Sequence, residues 1–151
     1  MIEVNKQCDI FDEANTGDAV CVTTNWDIRF DGKAVMGRGI ALQAKNLCPG
    51  IDLKLASYLK EYGNRPFNLG LYNIKGKAIR IFSYPTKYSW KSPSDMTLIC
   101  KSAELLVPMA DKFKPNNILL PPVGCGNGKL QWKDVRNWLS LILDDRFKVY
   151  L

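Results

Sequence analysis

The chain reads as an α/β protein whose mixed sheet is covered by helices on both faces. Apolar, β-branched runs alternate with amphipathic helical stretches from one end to the other. One pair of strands meets across a short Lys-Gly-Lys connection, so the sheet cannot be purely parallel. Two glycine-bearing loops each follow a strand and precede a helix. In an open α/β sheet this puts them at the crevice where ligands bind.

Taken in order, Ile2 to Val4 starts a short strand, and Asp18 to Thr24 (DAVCVTT) reads as a buried one. A long polar loop, Asn25 to Gly39, follows. Ile40 to Leu47 is helical and stops at Cys48-Pro49-Gly50. Ile51 to Tyr62 is a second helix, with Leu53, Leu55, Ala56 and Leu59 as its expected apolar face and Gly63 as its stop. Leu69 to Ile74 and Ala78 to Ser83 flank Lys75-Gly76-Lys77 as a hairpin. The loop Tyr84 to Pro93 then carries Lys87, Lys91, Tyr84, Tyr88 and Trp90. Asp95 to Lys112 is the longest helix, with Ser94 as expected N-cap and Pro108 expected to kink or interrupt it. Asn117 to Leu120 is a short strand. The loop Val123 to Lys129 leads to a helix from about Trp132 to Leu143, and Phe147 to Leu151 closes the chain as a strand.

Composition narrows the chemistry. The 151 residues include no histidine, which removes Ser-His-Asp and Cys-His catalysis and a neutral-pH imidazole base. Five scattered cysteines without a C-x-x-C pair point to reduced thiols. With no signal-like N-terminus and no membrane-length apolar run, the expected setting is cytoplasmic, away from membranes. One domain spanning residues 1–151 is the expected organisation. No metal or cofactor is implied. The formal charge of +6 suits a polyanionic partner, and equally suits plain solubility.

The strongest local signal is the run LLPPVGCGNGKLQW from Leu119 to Trp132, with glycine at three alternating positions. Glycine lets the backbone take φ > 0 and approach an anion, and a helix N-terminus behind the loop would add positive potential. The run is neither G-x-G-x-x-G nor a P-loop, because Gly124 to Leu130 is one residue short and lacks Ser/Thr. A tight strand-to-helix turn is the plainer alternative. Upstream, Val35-Met36-Gly37-Arg38-Gly39-Ile40 precedes a helix in the same way, and two such loops at one crevice suit a diphosphate.

These segments, together with Cys8-Asp9-Ile10, DAVCVTTN, VMGRGIALQAK and FSYPTKYSW in that order, resemble the macro domain family. The likeness runs the whole chain. It is nearest the branch of terminal ADP-ribose glycohydrolases and of antitoxin macro domains that reverse DNA ADP-ribosylation. The resemblance implies a three-layer α/β/α sandwich around a mixed, mostly parallel sheet. It implies ADP-ribose, or an ADP-ribosylated substrate such as nucleic acid or protein, as the ligand. By position, Asp9 would accept the adenine amine beside the backbone of Ile10. Read from the sequence alone, Asp9 is a capping or turn aspartate. Asn25 would lie near the distal ribose, while Val22 stands where the family has another asparagine. Gly37, Arg38, Gly39 and Ile40 would line the phosphates and distal ribose, and Val123, Gly124, Cys125, Gly126 and Asn127 would wrap the diphosphate. Cys125, lacking a base, reads as a small loop residue.

Lys87 is the catalytic candidate, matching the family's T-K lysine that acts at the anomeric carbon of the distal ribose. A lysine can attack when burial or neighbouring cations lower its pKa, and it can stabilise a leaving group electrostatically. A solvated loop lysine is the alternative. Some glycohydrolases of the family carry an aspartate where this chain has Gly128, whereas the antitoxin branch shares the G-C-G-N-G pattern. The implied activity is hydrolytic release of ADP-ribose. Two alternatives stand beside it: phosphatase or deacetylase action on ADP-ribose 1''-phosphate or O-acetyl-ADP-ribose, and a reader module without turnover. Trp26, Asp27, Arg29, Phe30, Asp31 and Lys33, with Tyr88, Trp90, Lys91 and Lys129, either present basic and aromatic groups to nucleic acid or pack their loops onto the domain.

Overall fold

The structure, a computed structural model, describes residues 1–151. Its elements run β1 (Ile2–Val4), α1 (Ile10–Glu13), β2 (Ala19–Thr24), α2 (Gly39–Leu47), α3 (Ile51–Tyr62), β3 (Asn68–Ile74) and β4 (Lys77–Pro85). After these come α4 (Met96–Phe113), β5 (Ile118–Leu120), a 3-10 turn (Gly126–Gly128), α5 (Trp132–Leu139) and β6 (Phe147–Tyr150). The six strands form one sheet in the order β1-β6-β5-β2-β4-β3. Only β3 and β4 pair antiparallel.

The apolar run of β2 is explained by its place between β5 and β4, with side chains buried on both faces. Val20 and Val22 join the core beneath α1, α2 and α3, whereas Ala19 and Cys21 join the core beneath α4 and α5. The alternation of β4 agrees, with Ile79 and Ile81 on the first side and Phe82 and Tyr84 on the second. The result is the expected α/β/α sandwich around a mixed, mostly parallel sheet.

Several local expectations are revised. A four-residue helix, α1, follows Asp9, whose side chain caps it, and no periodic pattern announces an element this short. In α3 the buried stripe is Ile51, Leu55, Ala56 and Leu59, while Leu53 is exposed, because it lies about 200° around the helix from Ile51. The hairpin turn has two residues. Lys75 and Gly76 both take positive φ, the pattern of a type I′ turn, and Lys77 already pairs with Ile74. Asp95, not Ser94, caps α4 by accepting from the Leu98 N–H at 2.9 Å. Helix α4 runs unbroken through Pro108, which lies on its exposed side, as does Glu104, whose carbonyl the proline leaves without its helical donor. Helix α5 stops at Leu139. The expected continuation to Leu143 is instead a turn from Ser140 to Ile142, after which Leu143 is again buried. No helix is long and apolar enough to cross a membrane.

Candidate active site

Strands β2, β4 and β5 run parallel, so their C-terminal ends open on one side of the sheet. The loops that leave them, Asn25 to Arg38, Thr86 to Asp95 and Pro121 to Gln131, surround a cleft of about 660 Å³. Asn25, Gly37, Arg38, Gly39, Ile40, Lys87, Val123, Gly124, Cys125, Gly126 and Asn127 all line it. Two loops separated by more than eighty positions in sequence therefore face one another, as the crevice argument required.

The arrangement is built for an anion. Helix α2 begins at this cleft with Arg38 as N-cap and no side-chain hydrogen bond to its first turn, which leaves its partial positive charge unneutralised. Helix α5, by contrast, starts at Trp132, beyond Lys129, the last residue to line the cleft. The expected helix N-terminus behind the second loop is thus replaced by the short 3-10 turn. Gly126 has φ +66°, and a Cβ there would meet nothing within 4 Å, so its bare backbone faces open space. Arg38, Lys87, Lys91 and Lys129 line the cleft, and no carboxylate does.

Lys87 lies two residues beyond the end of β4, after Thr86. The Thr86 N–H donates to the Thr24 carbonyl at 3.0 Å, which extends the β2–β4 register to the residue before it. Asn64 Nδ2 donates to the Lys87 carbonyl at 3.1 Å, and Lys87 Nζ donates to the Asn127 carbonyl at 3.2 Å. Burial, then the neighbouring Arg38 and Lys129 cations, lower the Lys87 pKa from the usual lysine value. Cys125 moves the other way, because burial pushes its thiol up and away from the thiolate.

Other expected residues carry structural duties as well. Asn25 Nδ2 donates to the Val35 carbonyl at 3.2 Å, and its Oδ1 accepts from the Asp27 N–H at 2.9 Å. It therefore folds the long loop from within the cleft wall. Asp9 and Ile10 lie in an adjoining groove of about 460 Å³, which shares Gly39, Ile40 and Pro121 with the main cleft. Asp9 Oδ1 caps α1 at 2.9 Å from the Phe11 N–H, and Oδ2 accepts from Gln43 Nε2 at 3.2 Å. Lys75 Nζ stands 4.0 Å from the same Oδ2. Val22 is fully buried in the core and offers the cleft no polar group.

Hydroxyl residues also line the cleft that sequence reasoning did not single out: Thr23, Thr24, Thr86, Ser92 and Ser94. For Thr24 and Thr86 a signal existed, since each directly precedes a nominated residue at the end of a parallel strand. Ser94 carried none as a site residue. Its N–H donates to the Gly128 carbonyl at 2.9 Å, and its buried Oγ has no hydrogen-bond partner. A Cβ added to Gly128 would lie 2.2 Å from that Oγ and 3.0 Å from Ser94 Cβ, so the Ser94 side chain must give way before any side chain fits there.

Over 115 residues, 73% of its length, the chain is 31% identical to a DNA ADP-ribosyl glycohydrolase of Thermus aquaticus, and it spans 31% of the length of that relative. It superposes on the macrodomain of Thermus aquaticus DarG with a TM-score of 0.70 and 28% identity, covering 99% of this chain and 95% of the other. Thermosipho africanus DarTG, solved in complex with ADP-ribose, gives a TM-score of 0.71 at 23% identity, covering 88% of this chain and 37% of that one. No family model matches the chain.

Proposed function

The chain belongs to the macrodomain family, on the branch of the DarG macrodomains, and from that premise we propose that it binds ADP-ribose and hydrolyses it from modified DNA. The observation that carries the reading is Lys87, held at the mouth of β4 with a lowered pKa in a cleft free of carboxylates. The whole chain, residues 1–151, acts as one unit in this reading. Its five unpaired cysteines suit a reducing cytoplasmic setting.

The proposed pose follows the chemistry of the walls. The diphosphate sits between the open N-terminus of α2 and the backbone of Gly126, where positive potential and unobstructed main chain meet it. Adenine extends into the adjoining groove, where Asp9 Oδ2 accepts from its exocyclic amine beside Ile10. Asn25, Arg38 and Lys87 then surround the distal ribose. The uncharged fraction of Lys87 attacks the anomeric carbon, and the nucleobase departs with the electrons of the glycosidic bond. Water subsequently releases ADP-ribose and restores the amine. Lowering the Lys87 pKa raises the uncharged fraction near neutral pH, which is what this step needs.

A reader without turnover is the second reading, favoured by the Lys87–Asn127 hydrogen bond and by the lack of a loop carboxylate to activate water. One experiment decides between them. ADP-ribosylated single-stranded DNA, RNA and protein are incubated with the chain and free ADP-ribose is measured. Release from DNA is expected. No release from any of the three, with ADP-ribose still bound in calorimetry, establishes the reader.

A further inference from the structure

Two loops beside the cleft expose an unusual share of aromatic surface. Trp26 and Phe30 lie on the Asn25 to Arg38 loop, Tyr88 and Trp90 on the loop after β4, and all four are exposed. Phe30 is 103% exposed, so it contributes nothing to packing. Scattered apolar residues on a surface need no explanation, but four aromatic rings on two adjoining loops form a patch.

The patch is built on a pinned frame. Asp27 Oδ2 accepts from Ser89 Oγ at 2.9 Å and from the Trp90 N–H at 2.8 Å, tying the two loops together. The Asn25 side chain fixes Asp27 in turn. Between the loops lies a hollow of about 410 Å³ lined by Phe30, Trp90, Arg29 and Lys91, among others. It shares Val35, Trp90 and Lys91 with the main cleft, so the two spaces join. Lys91 Nζ stands 5.7 Å from the centre of the Trp90 ring, which fits a cation over an aromatic face. Arg38, Lys91 and Lys129 take part in none of the ion pairs of the molecule.

We propose that this hollow is a subsite for one unpaired nucleobase flanking the ADP-ribosylated nucleotide, stacked against Phe30 and Trp90 with Lys91 and Lys129 set for the neighbouring phosphates. Aromatic faces accept any base, and the unpaired cations supply attraction to the strand independent of sequence. A paired base keeps its faces against its neighbours in the duplex and cannot stack here, so the subsite selects single strands. The inference rests on the reading that the main cleft takes an ADP-ribosyl group attached to nucleic acid.

The test uses an unmodified, labelled oligothymidylate of about ten nucleotides, a length within the usual footprint of single-strand sites. Fluorescence anisotropy compares it with the same strand in a duplex, and calorimetry measures ADP-ribose separately. The single strand is expected to bind more tightly than the duplex. Phe30→Ala, which removes a ring without packing neighbours, is expected to weaken strand binding about tenfold and to leave ADP-ribose affinity unchanged. Equal binding of strand and duplex, or no effect of Phe30→Ala, overturns the subsite. So does loss of binding to an ADP-ribosylated peptide in Phe30→Ala while the oligonucleotide is unaffected, since the patch then serves a polypeptide. Failure to bind ADP-ribose sinks the cleft reading instead, and the strand measurement separates the two failures.

Discussion

The two ends of the candidate site solve recognition in different ways. At the Asp9 end, the side chain expected to meet adenine already caps α1 and accepts from Gln43, so ligand recognition is laid over bonds that hold the fold. At the glycine-loop end, the expected contacts come from bare backbone and from the open start of α2, with nothing packed near Gly126. A substitution at the first end mixes stability with affinity. At the second end no side-chain bond of the fold is lost, so the only stability cost of a substitution is the left-handed backbone of Gly126, and Lys87 adds a third quantity, the rate.

The largest expected effect is on that rate. Lys87→Ala should lower release of ADP-ribose from modified DNA by about a thousandfold, while calorimetry finds ADP-ribose affinity close to wild type. Lys87→Arg keeps the charge but not the nucleophile, so it should be equally slow if attack is covalent. Wild-type turnover in Lys87→Ala removes the residue from the mechanism.

Next in size, Gly126→Val puts a β-branched residue at φ +66°. Affinity for ADP-ribose should fall roughly ten- to a hundredfold, because the added side chain stands over the backbone meant for the diphosphate. The left-handed backbone should also cost about 1–2 kcal/mol, visible as a drop of a few degrees in Tm. A folded Gly126→Val protein with unchanged affinity would reduce the loop to a turn.

Asp9 is the counterpart test at the other end. Asparagine caps a helix about as well as aspartate, so Asp9→Asn should keep the wild-type Tm, whereas Asp9→Ala should lose about 1 kcal/mol of stability. Both should weaken ADP-ribose binding by about tenfold, since each removes the charged acceptor. If Asp9→Asn binds like wild type, capping is the residue's whole task.

The smallest effect is a displacement in pH. A neutral amine is the attacking form, so the rate should rise with pH along a limb centred below 10.5. Lys129 disfavours the Lys87 ammonium, and Lys129→Ala should therefore move that limb to higher pH. A limb unmoved by Lys129→Ala would leave burial and Arg38 as the causes of the lowered pKa.

Much of this fold was legible because burial writes itself into sequence. The run AVCVTT of β2 is apolar on both faces since helices cover both, and the positive φ of Gly76 shows why a glycine stands at the hairpin. What misled was local chemistry with two adequate solutions. Ser94 and Asp95 are adjacent and both able to cap, and the choice fell to Asp95 while Ser94 went under the glycine loop. Ile142 and Leu143 continue the helical period of Val135 and Leu139, but the backbone has left the helix by Ser140. In the site, the two distant glycine loops that the sequence put at one crevice both line the cleft. The tie from Asp27 to the loop after β4 depends on a contact between positions more than sixty residues apart, and no spacing rule reaches that far.

The contact of Ser94 with Gly128 makes two positions interdependent. An aspartate at 128, as in those glycohydrolases of the family that carry one there, would put its Cβ 2.2 Å from Ser94 Oγ. Taken first, that substitution turns the Ser94 hydroxyl out of its buried place and crowds Ser94 Cβ at 3.0 Å. Taken after Ser94→Gly, it meets a space already cleared. A route from one version of this loop to the other therefore has a preferred order, in which residue 94 shrinks before residue 128 grows.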